Sequence, residues 1–179
     1  MRLREATSDD VQFVADLHTT NWRENNRGAF SDEYLKGPVV EDRRRIWTER
    51  LTELPPNQYV VIAENDDGEA VAFACAYGAE DPQWGTFLDN IHVRTELFAQ
   101  GIGKRLMADV AAWSIRHYPD CGMHLLVLES NARARRFYER LGACDAEGSL
   151  IFESPGGPVS SRRYAWTRGQ LAAMAQGAG

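Results

Sequence analysis

The feature that most constrains this chain is Val93–Lys104, where a strand-like run passes through a short loop into a helical pattern. Glycines at a strand-to-helix turn let several backbone N–H groups point outward together, and the positive end of the helix reinforces them. The turn therefore predicts a site for a phosphate-bearing ligand, although it could also serve only to let the helix begin. The amides predicted to bind phosphate belong to Gln100, Gly101, Ile102, Gly103 and Lys104.

The glycine spacing excludes two other phosphate-binding folds. A P-loop needs glycine five positions before Gly103 and Ser or Thr after the lysine. Phe98 and Arg105 stand at those positions. A dinucleotide-binding fingerprint needs a third glycine at position 106, which holds Leu106. The chain is therefore predicted to be neither a P-loop NTPase nor a Rossmann dinucleotide-binding protein.

A second motif follows a short apolar run, Leu125–Leu128, of the kind that forms a buried strand. It reads N-x-x-A-x-x-F-Y-x-x-x-G from Asn131 to Gly142, and the first motif partly matches V-x-P-x-x-R/Q-x-x-G-x-G/A. With both motifs in this order, the chain resembles the GNAT superfamily of acyl-CoA-dependent N-acyltransferases. The first motif departs from that family at Phe98, where Arg or Gln is usual, and at Ala99, where glycine is usual.

Composition narrows the class of protein. The chain has 179 residues, 44% apolar and 26% charged, which is typical of a globular domain. Its net charge of −6 argues against nucleic acid as a partner. The chain contains no run of 18 apolar residues, so no membrane span is predicted. The three cysteines lack CxxC spacing and the four histidines are scattered, so we predict no metal site and a reducing, cytoplasmic location.

The order of periodic segments predicts a mixed α/β (α+β) fold. The resemblance implies a mostly antiparallel seven-stranded sheet, with its fourth and fifth strands splayed apart and about four flanking helices. We expect residues 1–167 to form a single acetyltransferase domain. Residues 168–179 are rich in Ala and Gly and are predicted to form a flexible tail.

The resemblance implies acetyl-CoA as the acyl donor, bound between the splayed strands. Its pyrophosphate would lie on the glycine turn, and its pantetheine arm would pair with the backbone of Ile91 and Val93. Asn131 would orient that arm, or act only as the N-cap of its helix, where Asn is favoured. Lys104 and Arg105 would meet the ribose phosphate, or form a solvated helix end.

The resemblance also places a general acid at Tyr138, which would protonate the departing thiolate; the alternative is an aromatic side chain that only closes the pocket. Phe87, Asp89 and Ile91 share one face of their strand if no bulge intervenes, so Asp89 is the first candidate for the base. Asp89 could instead be a carboxylate paired with a nearby arginine. The weaker candidates are Glu80, Glu129, His92 and a water chain without a discrete base.

The acceptor pocket is predicted to be walled by aromatic and polar side chains, though Trp22 could equally anchor its helix in the core. The resemblance implies N-acetylation of a small primary amine by direct attack through a tetrahedral intermediate. The alternatives are a protein or peptide N-acetyltransferase and a non-catalytic acyl-CoA sensor. Dimers are common in that family, so a homodimer is one allowed assembly, though no motif predicts it. The predicted acceptor-site residues are Trp22, Asn26, Tyr34 and Tyr164.

Overall fold

A computed structural model describes residues 1–25, 29–154 and 157–177, and within these ranges it contains seven strands and six α-helices. Two short 3-10 turns precede α1 and follow β4. The elements, in chain order, are β1 Arg2–Glu5, α1 Val11–Asn25, α2 Asp32–Lys36, α3 Val39–Thr52, β2 Gln58–Glu64, β3 Ala70–Asp81, β4 Gly85–Val93, α4 Ile102–His117, β5 Met123–Leu128, α5 Ala132–Arg140, β6 Cys144–Ser154, β7 Gly157–Trp166 and α6 Arg168–Gln176.

The seven strands form one sheet in the order β1-β2-β3-β4-β5-β7-β6. Only the β4–β5 pair is parallel, which confirms the predicted mostly antiparallel seven-stranded sheet. Helices α1 and α3 cover one face around Val14 and Trp47, and α4 covers the other with Leu106 and Val110. The described residues contain two helices more than expected, because α2 and α6 were not predicted.

Helix α6 occupies the segment that was predicted to be a flexible tail. Thr167 and Gln170 form a reciprocal capping box at its start, and Leu171 and Met174 are buried in the core on the α4 side. Alanine favours helix, so a capped alanine-rich segment with two core-facing apolar residues can pack instead of fraying. The prediction gave the composition too much weight and missed the capping box.

Strand β4 contains a bulge that changes which side chains share a face. Asn90 pairs with Cys75 and Leu88 pairs with Ala76, so Asp89 is an extra residue without a partner on β3. Leu88 and Ile91 both pack into the core beside α4, although they are three residues apart. The predicted common face of Phe87, Asp89 and Ile91 is therefore wrong.

The two central strands separate soon after they meet. β4 pairs with β5 only at Thr86 with Met123 and at Phe87 with His124. Beyond these pairs β4 continues to Val93 and β5 continues to Leu128, where it pairs with β7 instead. A wedge with unpaired backbone groups thus opens in the middle of the sheet. No helix in the described part of the chain is long and apolar enough to cross a membrane.

Candidate active site

A cavity of about 750 Å³ lies in the wedge between β4 and β5. Its walls come from both strands, α1, α3, the glycine turn before α4, and α5, with the β6–β7 hairpin at one rim. The wall residues include His18, Trp22, Arg43, Asp89, Val93, Gly103, Leu126, Asn131, Tyr138 and Phe152. The separation of the strands therefore places both sequence motifs around one space.

The glycine turn presents a row of free backbone donors. Ala99 and Gly101 have positive φ values of 64° and 82°, and the first helical hydrogen bond runs from Arg105 N–H to the Gly101 carbonyl at 3.1 Å. Within the described chain, no acceptor meets the N–H groups of residues 99–104. A Cβ on Gly103 would lie 3.2 Å from Cζ of Phe137, so the turn is also packed tightly against α5. Such a row of donors at a helix start suits an anion.

A cation that the sequence analysis missed lies beside this turn. The Arg133 guanidinium stacks 4.0 Å from the ring centroid of Phe98 and donates to Asn25 Oδ1 at 3.1 Å. Phe98 is the position where the resembled family carries Arg or Gln. Arg133, which follows Asn131 by two residues, therefore brings positive charge to the region where the motif lacks it.

The edge of β4 that faces the wedge carries unpaired backbone groups. Arg94 N–H bonds to the Val71 carbonyl on β3, so the alternate residues Ile91 and Val93 direct their N–H and C=O groups away from β3. The Val93 carbonyl accepts a hydrogen bond from Asn21 Nδ2 at 3.1 Å. The other groups of this edge can pair with an extended ligand as a strand would.

Tyr138 lies on the buried face of α5, and its ring packs against Phe137, Tyr164 and Trp166. The side chain is 8% exposed and lines the cavity. No described residue hydrogen-bonds its hydroxyl, and burial raises the pKa of that hydroxyl. The phenol is therefore protonated at neutral pH and free to donate into the cavity.

The position of Asn131 is compatible with both of its predicted roles, the N-cap of α5 and a donor to the cofactor arm. Its Oδ1 accepts from the Ala134 N–H at 3.0 Å, which is the N-cap contact of α5. The same residue lines the cavity, and no described residue pairs with its Nδ2. The helix cap thus leaves an amide donor available to a ligand.

Asp89 is paired with an arginine, as in its alternative interpretation. Its Oδ2 lies 2.5 Å from Arg50 Nη1 and 2.6 Å from Asn90 Nδ2. Glu129 lies outside the cavity, where hydrogen bonds from Ser160, Ser149 and Arg162 lower its pKa to about 2. Among the described residues that line the cavity, Asp89 is the one carboxylate, and it is already neutralised.

The predicted acceptor residues occupy different places. Trp22 lines the cavity, and its ring centroid lies 4.8 Å from that of Phe30. Tyr34 packs behind these rings, buried and bonded to Asp42 at 2.9 Å, so it supports the wall without lining it. Asn26 lies outside the described residues.

Tyr164 is the clearest misplacement among the predicted acceptor residues. It is fully buried, and its hydroxyl donates to Glu139 on α5 at 2.6 Å. Side chains alternate along β7, so Arg163 faces His124 while Tyr164 points to the opposite face. Tyr164 therefore lies away from the cavity wall, on the face of the sheet that α5 covers.

Two histidines define the acceptor side, and only His92 was considered from sequence. The rings of His18 on α1 and His92 on β4 lie 4.6 Å apart. Burial, together with the nearby Arg43, lowers the pKa of His92 to about 3, and burial lowers the pKa of His18 well below its usual value. Both are therefore neutral at pH 7. The spacing of His18, Asn21, Trp22 and Asn25 on one helix face was the signal that could have revealed this wall.

Glu80, Asp81 and His124 form the group in the described chain that most resembles a metal site. Arg163 donates to His124 Nδ1 at 2.7 Å, which leaves the imidazole hydrogen on Nε2, the atom nearest Glu80. A protonated Nε2 offers no lone pair to a metal. His124 Nε2 lies 4.0 Å from Glu80 Oε2 and has no hydrogen-bond partner in the described chain, so its ring as oriented supplies no metal ligand.

Residues 15–143 match the model of the acetyltransferase (GNAT) family. No curated protein matches the chain at a significant level. Solved structures with the same fold include a GCN5-related N-acetyltransferase of Rhodopseudomonas palustris, described as an aminotransferase of class II. It is 16% identical with a TM-score of 0.73, over 93% of this chain and 94% of that one.

Two further structures are similar over nearly their whole length. PaiA N-acetyltransferase of Thermoplasma acidophilum, solved with coenzyme A, is 15% identical with a TM-score of 0.65, over 92% of this chain and 98% of that one. A mutant of spermidine N-acetyltransferase SpeG of Vibrio cholerae is 16% identical with a TM-score of 0.68, over 95% of each chain. At these identities the likeness establishes the fold.

Proposed function

This chain belongs to the GNAT family of acetyltransferases, and we propose that it transfers the acetyl group of acetyl-CoA to a primary amine of a small molecule. The reaction is direct attack of the amine on the thioester, through a tetrahedral intermediate. The observation that carries the proposal is the unpaired wedge between β4 and β5, which brings the free amides of the glycine turn and the free hydroxyl of Tyr138 to one cavity.

The residues present suit acetyl-CoA as the donor substrate. The amides of residues 100–104 and the guanidinium of Arg133 offer donors and positive charge for a pyrophosphate. The open edge of β4 at Ile91 and Val93 offers backbone groups for the amides of the pantetheine arm. Asn131 Nδ2 and Lys104 supply additional donors at the cavity wall.

Tyr138 is the group we assign to protonation of the leaving thiolate. Its burial keeps the phenol protonated, and a hydroxyl without a protein partner can donate to a sulfur that arrives beside it. Nearby rings fix its position by packing, so the donor is oriented before the substrate binds. The burial that raises the pKa therefore supports the general-acid role by keeping the proton on the phenol until a thiolate arrives.

We do not assign Asp89 as the base, because its Oδ2 is already held by Arg50 Nη1 and Asn90 Nδ2. We propose that the amine gives its proton to water in the cavity instead. Arg43 favours this loss, since a neighbouring cation lowers the pKa of an ammonium. Asp89 then has a structural role, holding Arg50 beside the bulge.

Walls on both sides of the acceptor region favour a small acceptor over a protein segment. Trp22 and Phe30 form one wall, and Phe152 and Val159 of the β6–β7 hairpin line the opposite rim.

We further propose a cytoplasmic location, because the three cysteines are unpaired. The homodimer stays one allowed assembly, which sedimentation of the purified protein would test.

The direct test is acetyl-CoA-dependent thiol release with a panel of polyamines, amino acids, aminoglycosides and short peptides. Binding of acetyl-CoA is measured separately by calorimetry. Turnover with a small amine supports the proposal, and turnover with peptides alone would make the protein an N-acetyltransferase of polypeptides. Tight acetyl-CoA binding without turnover on any acceptor would favour an acyl-CoA sensor.

A further inference from the structure

The acceptor side of the cavity offers hydrogen-bond donors without matching acceptors. His18 is 2% exposed, and its Nδ1 accepts from the Trp47 indole N–H at 3.0 Å. An imidazole that accepts at Nδ1 carries its hydrogen on Nε2. That Nε2 is buried, and no described residue bonds to it. His18 therefore brings an unused N–H donor to the cavity wall.

In His92, as in His18, Nδ1 accepts a hydrogen bond and Nε2 carries the hydrogen. Asn21 Nδ2 lies 3.3 Å from His92 Nδ1, and the same amide nitrogen donates to the Val93 carbonyl. Because an amide NH₂ group only donates, Nδ1 of His92 is the acceptor and Nε2 carries the hydrogen. Two neighbouring imidazoles thus present N–H groups to the acceptor side.

Arg43 adds a positive charge that has no counterion. Its guanidinium lies 4.5 Å from the ring centroid of Trp22, and its Nε is buried without a partner in the described chain. Unlike Arg50, it forms no ion pair with any described carboxylate. Positions 26–28, 155–156 and 178–179, which the structure leaves undescribed, contain no Asp or Glu. Arg43 is partly buried, and a guanidinium that has lost part of its water is stabilised by a ligand that supplies the counterion.

We infer that the amine acceptor also carries an anionic group of carboxylate size, which Arg43 binds with the N–H groups of His18 and His92. The acceptor is then a small amino acid-like molecule. The planar guanidinium suits an oxyanion with two oxygens, and both imidazoles add donors to it. A polyamine would instead bring additional positive charge beside Arg43 and Arg50, with Asp89 already paired. This inference rests on the proposed acetyl transfer.

The test compares kcat/KM for acceptor pairs that differ only by the carboxylate: phenylalanine with phenethylamine, leucine with isopentylamine, and lysine with cadaverine. An aminophosphonate analogue distinguishes carboxylate from phosphate-like anions, and spermidine represents polycations. We expect the carboxylate to raise kcat/KM about 10- to 100-fold, the usual range for hydrogen bonds to charged groups. Equal rates within each pair, or a preference for spermidine, would overturn the inference and leave the acetyl transfer intact.

Substitutions of Arg43 test whether this residue binds the carboxylate of the acceptor. Arg43→Gln should remove most of the carboxylate advantage, and Arg43→Lys should keep part of it, because the charge stays while the fork is lost. Arg45→Gln is the matched control, since Arg45 is exposed on the same helix and paired with Glu49. A structural loss at Arg43 would lower both members of a pair equally, so the ratio within each pair is the readout.

Binding without turnover separates the two proposals. If no acceptor is acetylated although acetyl-CoA binds, the proposed function fails, and phenylalanine, leucine and lysine are titrated by calorimetry into the CoA-saturated protein. Saturable binding that is lost in Arg43→Gln would still support an anion site. No binding of these amino acids, or binding unchanged in that variant, would overturn it.

Discussion

At the scale of single residues, burial keeps the Tyr138 hydroxyl protonated. The side chain has lost its water on α5, so the charged phenolate is disfavoured and the hydroxyl stays protonated. Tyr164, whose ring centroid lies 6.3 Å away, has its hydroxyl bonded to Glu139 instead. Two neighbouring tyrosines therefore differ in what their hydroxyls can bind: Tyr138 lines the cavity without a described partner, whereas Tyr164 is bonded to Glu139.

Tyr138→Phe removes that hydroxyl and keeps the packing of the ring. We expect kcat to fall by about 100-fold, which is the lower range for loss of general acid catalysis, with acetyl-CoA affinity within a few-fold of wild type. Steady-state thiol release and calorimetry measure the two quantities. Tyr164→Phe is the matched control and should keep kcat while losing about 1 kcal/mol of stability. Full activity of Tyr138→Phe would assign proton donation to another group or to water.

Gly103 lies in the glycine turn at a position where an added Cβ would press against Phe137. Gly103→Glu puts a carboxylate among the free amides and a Cβ against Phe137. We expect acetyl-CoA binding to be lost, as measured by calorimetry. Gly169→Glu, on α6 in open space, adds the same side chain and should bind normally. Unchanged affinity in Gly103→Glu would remove the amides from the proposed site.

At the scale of elements, a bulge in β4 and the docking of α6 shape the surroundings of the cavity. The bulge at Asp89 turns Ile91 toward α4 and leaves Asp89 to pair with Arg50 on α3. The docking of α6 against α4 covers the core beneath the helix that carries the glycine turn at its start. Neither feature contributes a ligand, yet both hold the walls of the cavity in place.

Leu171→Ala tests whether α6 belongs to the folded core. Leu171 is completely buried, so we expect the truncation to lower the free energy of unfolding by about 2–5 kcal/mol. Urea denaturation measures this loss. Arg168→Ala, at the exposed start of the same helix, should change stability by less than about 0.5 kcal/mol. A similarly small effect of Leu171→Ala would mean that the helix is detached in solution.

At the scale of the whole molecule, the fold keeps three histidine side chains in the neutral form at pH 7. Burial lowers the pKa of His92 to about 3 and that of His124, with help from Arg163, to about 4, and His18 shifts in the same direction. On unfolding, each regains a value near 6.5 and takes up a proton below that pH. Above pH 6.5 these histidines are neutral in both states and cost the folded state nothing. As the pH falls toward 4, protonation stabilises the unfolded state, so the free energy of unfolding decreases.

The free energy of unfolding should fall between pH 6.5 and 5.5 by about 1 kcal/mol for each of these histidines. His124→Gln should reduce this pH-dependent loss of the free energy of unfolding by about 1 kcal/mol, as measured by urea denaturation at both pH values. A wild-type stability that does not change over this interval would show that the histidines are hydrated in the folded state.

The sequence by itself determined the elements at the glycine-turn end of the cavity. The glycines of the turn and the Asn131–Gly142 motif act through local backbone geometry, which neighbouring residues set, so the fold and the order of both motifs in it could be predicted. The tertiary structure alone decided the side of the cavity that α1 and α3 line. The Asp89 bulge, the approach of His18 to His92 and the unpaired charge of Arg43 depend on contacts between α1, α3 and β4, which are distant in sequence. Burial and pairing of charges are properties of those contacts, so the residue types alone could not reveal them.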